Sequence, residues 1–175
     1  MSHYYIRQDL LSSSSRTIIK NQKGDALYLM VGRWGMRGDV LSLYQLNGDI
    51  VASIKQANFA FKLGSRFDLY HEFEKVGSLQ RVLSINRDFY FVHQLGWVVM
   101  GDISNHDYAI YHLNRRVMKM EKASLTTGDF YALDIPEKEE APLCICIAAV
   151  LDYWLLNRKK TEDQLKKHVP NLSFD

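Results

Sequence analysis

Residues 139–160 read EEAPLCICIAAVLDYWLLNRKK, and between Pro142 and Asn157 the only charged side chain is Asp152. A helix that is apolar on every face must be buried on every face, which leaves lipid or protein as its surroundings. Lipid fits poorly. A membrane span needs about 20 apolar residues, and a carboxylate at its centre costs about 2.5–3.5 kcal/mol. The 16 residues from 142 to 157 fall short and are interrupted by Asp152. They would form a helix about 24 Å long. Pro142 suits its first turn, Glu139 and Glu140 complement its positive end, and Arg158, Lys159 and Lys160 its negative end. Inside protein, Asp152 should lie near one mouth of the surrounding layer, or accept hydrogen bonds from backbone N–H groups or a tyrosine.

Cys144 and Cys146, the chain's two cysteines, lie in this segment. Two positions apart on a helix they point about 200° away from each other, so they can neither pair nor chelate one metal. They read as buried small hydrophobes, with palmitoylation or redox sensing as the alternatives.

What could surround such a helix is written upstream. Between residues 16 and 135 short runs rich in β-branched and aromatic residues alternate with turn chemistry, an all-β pattern. The runs are 16–20, 26–32, 40–46, 50–56, 59–63, 66–73, 79–85, 89–94, 97–103, 108–113, 117–123 and 129–135, about twelve strands. Lys23-Gly24-Asp25, Asn47-Gly48-Asp49, Gly64-Ser65, Gly77-Ser78, Asn86-Arg87-Asp88 and Asn114-Arg115-Arg116 supply polar links suited to antiparallel hairpins. In 117–122 Met118 and Met120 share one face and Lys119 and Glu121 the other. A sheet closed around the apolar helix would bury all its faces and leave few open edges.

The stretch 41–54, LSLYQLNGDIVASI, aligns with 108–120, YAIYHLNRRVMKM, when Gly48 is an inserted turn residue. Tyr44 then matches Tyr111, Leu46 matches Leu113 and Val51 matches Val117, while upstream Val31-Gly32 lies opposite Met100-Gly101. Two related halves, roughly 26–63 and 95–130, are the leading reading, with generic hairpin patterning as the alternative.

The 175 residues suit one domain, expected over 1–157. The remainder, 158–175, reads as a basic tail with a short helix over 162–169 ending near Pro170. A net charge of +2 and a pI of about 8.5 fall short of a dedicated nucleic-acid binder, so no nucleic-acid partner is expected. The opening MSHYYIRQDLLSSSSR has no basic stretch followed by an apolar one, so a cytoplasmic compartment is expected, with peripheral attachment to a membrane as a variant.

These residues carry a resemblance. The hairpin repeat with Gly32 to Gln56, followed by Phe130-Tyr131-Ala132-Leu133-Asp134 and the apolar run through Asp152-Tyr153, resembles the LURP-one-related family of the tubby C-terminal-like superfamily, to which the phospholipid scramblases also belong. The resemblance covers roughly residues 5–157. It implies a twelve-stranded closed antiparallel β-barrel around a central C-terminal hydrophobic helix. Asn114-Arg115-Arg116 departs from the usual Asp/Asn-Gly turn, and the tail extends past the helix.

No catalytic constellation is found. The six histidines form no HExxH and no His/Cys cluster, no GxSxG occurs, and no cofactor or metal is implied. Paired acids such as Glu72 with Glu74 read as solvated charges. Gly32, Gly35 and Gly38 in GRWGMRG precede a strand pattern rather than a helix, which removes the phosphate-loop reading.

Local positive charge remains. Arg115, Arg116, Lys119 and Lys122 share one hairpin; Lys55, Lys62 and Arg66 cluster near another; Arg33 and Arg37 flank Trp34. The resemblance to tubby domains points to anionic phosphoinositide headgroups held by surface cations, though no motif carries particular residues over. Each cation near an anionic leaflet is worth about 1 kcal/mol, so three or four give weak, salt-sensitive binding. A solvated β face is the bland alternative for each cluster. The leading expectation is a non-enzymatic binding domain for anionic lipid headgroups or a membrane surface. The second is a protein-interaction domain using Trp34, Trp97 and the tail, and the third an enzyme of unknown class.

Overall fold

Alternation of side chains sets the inner and outer faces of the sheet. In the strand Arg16–Asn21, Thr17 and Ile19 are buried while Arg16, Ile18 and Lys20 face outward. A computed structural model describes residues 2–7, 16–32, 40–57, 66–82, 89–125 and 128–153. Its strands are β1 (Ser2–Arg7), β2 (Arg16–Asn21), β3 (Ala26–Gly32), β4 (Val40–Gln45), β5 (Ile50–Gln56), β6 (Arg66–His71), β7 (Glu74–Val82), β8 (Phe89–His93), β9 (Trp97–Asp102), β10 (Asp107–His112), β11 (Arg115–Leu125) and β12 (Gly128–Ile135). Each pairs antiparallel with its sequence neighbours, and β1 also pairs with β12, closing a twelve-stranded barrel.

After β12 a 3-10 turn, Lys138–Glu140, leads into helix α1, residues 141–153. Every residue of α1 from 141 to 152 is buried, and its side chains form one cluster with Ile6, Ile19, Leu43, Ile54, Met118, Met120 and Leu133 from the inner face of the sheet. That is the all-round burial an apolar helix requires. Pro142 sits in its first turn, as the sequence predicts.

The meander gives the barrel two unlike ends. Short turns at 22–25, 46–49, 72–73, 94–96 and 113–114 gather at the end where α1 begins. Most connections at the other end are longer, and there Asp152 meets the 3-10 turn Ile103–Asn105.

The repeat read in the sequence is present and extends further. Register shifts by one residue between Leu43 and Tyr44 and between Ile110 and Tyr111, the positions that the alignment equates. The same shift occurs between Ile19 and Lys20 and between Leu69 and Tyr70. The extra residues of these four bulges are Leu27, Val51, Val76 and Val117, each packed in or against the core. A bulge strengthens local twist, which helps a sheet to close. Gly32 and Gly101 occupy equivalent places with φ of 152° and 129°. A Cβ on Gly101 would lie 2.7 Å from the Asp107 carbonyl oxygen, and one on Gly32 would meet the Val40 carbonyl oxygen.

The count of twelve holds, but the set of strands differs. β1 was not among the runs read from the sequence, and 59–63 lies outside the described residues, as does the expected helix over 162–169. Gly77-Ser78 is not a turn: both pair within β7, and the chain reverses at 72–73, where Glu72 adopts φ 53°. Gly77 is there because a Cβ would sit 2.7 Å from the His93 carbonyl oxygen of β8.

Candidate functional site

Four of the nine cations singled out in the sequence have acidic partners among the described residues. Arg115 makes a forked pair with Glu140, with Nη1 donating to Oε2 at 2.8 Å. Arg116 donates to Asp134 and Lys119 to Glu121, each at 2.8 Å. Arg66 lies 3.2 Å and Lys75 2.9 Å from Asp68 Oδ1. These partners neutralise three of the four cations of the Arg115 hairpin and, among the described residues of the second cluster, Arg66 alone. Lys55 and Lys122 are exposed and form no ion pair among the described residues. Lys62, Arg33 and Arg37 lie outside the described residues, as does Trp34. Trp97, expected as a contact point, is 5% exposed and belongs to the core because its strand position faces inward.

The two thiols are buried. Burial raises Cys146 to about 12 and pushes Cys144 well above the ordinary thiol range. Reactive cysteines need the opposite surroundings.

Among the described residues, Asp152 accepts neither from the backbone nor from a tyrosine. Its Oδ1 lies 2.7 Å from His106 Nε2, and since a carboxylate only accepts, Nε2 carries the proton. His106 caps the 3-10 turn with φ 60° and stacks on Tyr131, ring centroids 4.5 Å apart. Tyr108 Oη, His106 Nδ1 and Asp152 Oδ2 are buried with no hydrogen-bond partner among the described residues. Burial first, and the Asp152 charge second, push the Tyr108 hydroxyl well above its usual range. This cluster pins the end of α1 to the β9–β10 connection; it is sealed from solvent and unsuited to a substrate. No group of three or more metal-ligating side chains occurs among the described residues.

A different place combines cations with open apolar surface. The seam between β1 and β2 is held by two register pairs, Tyr4 with Asn21 and Tyr5 with Lys20, against three to seven at the other seams. Beyond Tyr5 the strands part. On the outer face there, a cavity of about 870 Å³ opens across the end of β11, β12, β1, β2 and β3. Arg7, Arg16, Lys20 and Lys23 line it, and no acidic residue does among those described. Its apolar wall comes from Tyr5, Ile18, Leu29, Leu125 and Phe130, of which Ile18 and Leu125 are 46% exposed. Sequence reasoning passed over these cations because Arg7, Arg16, Lys20 and Lys23 sit on segments that barrel closure alone brings beside Phe130. The one available signal was Arg16 and Lys20 flanking Ile18 on one strand face.

At the barrel end where α1 begins, the end that also carries the 22–25 turn, Leu46, Phe73 and Leu113 stand exposed at the tips of three other hairpins. Leu46 and Leu113 are equivalent positions of the repeat.

A family model described as LURP-one-related matches residues 2–152. The Bacillus subtilis (strain 168) protein YxjI, described as uncharacterised, is 24% identical over 157 residues, covering 90% of this chain and 96% of its own. A protein from Arabidopsis thaliana with a solved X-ray structure shares the fold, with a TM-score of 0.59 at 14% identity over 86% of this chain and 89% of that one. No helix among the described residues is long and apolar enough to cross a membrane.

Proposed function

This chain belongs to the LURP-one-related family, and from that premise and the charge of its surface we propose that it is a non-enzymatic binding barrel that docks anionic lipid headgroups at a membrane surface. One observation carries the reading: Lys20 and Lys23 border the β1–β2 cavity beside exposed apolar side chains, with no acid among its described lining residues. At about 1 kcal/mol for each cation near an anionic leaflet, attachment is weak, reversible and screened by salt. The hairpin cluster of Arg115, Arg116 and Lys119 contributes little, since each already holds a carboxylate. A cytoplasmic protein attached peripherally to a membrane fits this mode of binding.

Sedimentation with vesicles of phosphatidylcholine, with and without phosphatidylserine, tests the proposal. The chain pellets with the anionic vesicles at low salt and is released at high salt. K20E/K23E abolishes pelleting, whereas R115E/R116E leaves it largely intact. Failure to pellet with anionic vesicles, or pelleting indifferent to K20E/K23E, refutes the reading.

The exposed tips Leu46, Phe73 and Leu113 favour a second reading, a protein contact at the hairpin tips of the barrel end where α1 begins. Asp49, Glu72 and Glu74 beside them make these three tips a poor match for anionic lipid. A partner captured by the wild type and lost on F73E/L113E, with vesicle binding absent, would decide for it.

A further inference from the structure

The cavity is larger and more apolar than a headgroup site needs. Its 870 Å³ lies in the range of roughly 300–1,000 Å³ that encloses whole small ligands. A phosphate or carboxylate alone would meet Lys20 and Lys23 and leave the rest empty. Below these lysines the outward face of β2 continues to Ile18 and Arg16, about 13 Å along the strand. Leu29 of β3 pairs with Ile18, and Phe130 of β12 pairs with Arg7, so apolar side chains stand on both sides of the parted strands. The methylene stems of Arg7 and Arg16 can extend this wall while their heads keep their own polar contacts. Two of the exposed large hydrophobics among the described residues, Ile18 and Leu125, lie here.

We propose that the cavity takes up one molecule of a single-chain anionic amphiphile, with its terminal anion between Lys20 and Lys23 and its alkyl chain along Ile18, Leu29, Leu125 and Phe130. The proposal rests on the anionic-lipid reading and sharpens it from a surface contact to capture of a lipid monomer. Charge complementarity selects the head, since Asn21 is already committed to Asp25 and to the turn backbone while the lysines are not. The splayed seam selects a single chain, because the apolar strip runs only from Leu125 and Phe130 on one side to Leu29 on the other.

Isothermal titration calorimetry with alkyl phosphates below their micelle concentrations tests it, with dodecanoate to compare the two anions and dodecyl maltoside as a neutral head. Dodecyl phosphate saturates at one per chain, and each methylene from octyl to dodecyl tightens binding about fourfold. K20E/K23E and Ile18→Asp each weaken binding at least tenfold; all three positions are exposed, so the barrel persists, as circular dichroism checks. Binding of dodecanoate alone supports the site and identifies a carboxylate head. The proposal falls if neither anion binds saturably, if affinity ignores chain length, or if the neutral amphiphile binds equally well. Vesicle pelleting without monomer uptake overturns the proposal and leaves the headgroup reading standing. Uptake without pelleting supports it and removes the membrane surface.

Discussion

Removing His106 should cost this barrel more stability than any single surface change. In His106→Gly the imidazole is lost, but the turn is not strained, because glycine accepts the φ of 60° at this position. Asp152, 1% exposed, then keeps a buried carboxylate with its 2.7 Å partner gone. Breaking a buried pair by deleting one member costs about 3–5 kcal/mol. For a chain of this length each kcal/mol shifts the melting midpoint by about 2–4 °C, so a fall of roughly 6–20 °C is expected. Asp152→Asn removes the charge that His106→Gly would strand. The double variant should therefore lose at least about 1 kcal/mol less than the sum of the singles. Urea unfolding followed by tryptophan fluorescence measures all four corners of the cycle. A His106→Gly variant within about 1 kcal/mol of wild type, or an additive double, would refute the pinning role given to this pair.

Three further outcomes follow from the same structure. Gly101→Ala places a Cβ 2.7 Å from the Asp107 carbonyl oxygen at φ 129°, and should lower stability by at least about 1–2 kcal/mol, read by chemical denaturation. Cys144 and Cys146 should resist iodoacetamide at pH 8 in the native state and label rapidly in urea, as mass spectrometry can count. Because burial raises Cys146 to about 12, the folded state keeps its thiol proton where the unfolded chain, near 9, loses it. That contribution to stability is complete below pH 9 and disappears as pH rises toward 12, and Cys146→Ala should flatten the decline seen in denaturation curves.

The barrel was legible because its logic is local. The apolar helix demanded a wrapping layer, and short β-rich runs, with alternation such as that of Met118 and Met120 against Lys119 and Glu121 in β11, supplied one. Two strand-level errors share a cause. Gly77-Ser78 looks like a turn, yet the glycine serves close approach to β8, while the true turn at 72–73 carries no glycine or proline. β1 escaped because SHYYIR is short and polar at its ends, and becomes a strand through its pairing with β12, more than 120 residues away. The site was less legible for the same reason. Charge clusters can be counted along a chain, but their neutralisation cannot: Arg115 finds Glu140 and Arg116 finds Asp134 only once β11, β12 and the start of α1 are folded together. His106 and Asp152, 46 positions apart, meet through the barrel interior. The cationic cavity exists because β1 and β2 part after two register pairs, a feature of barrel closure with no sequence motif.

Hydrogen–deuterium exchange with and without phosphatidylserine vesicles tests the central claim most directly, since it reports where lipid sits. Protection confined to peptides spanning residues 2–7, 16–29, 124–125 and 128–131 is the predicted result. Protection at 113–122 instead, or no change at the β1–β2 seam, would contradict the account.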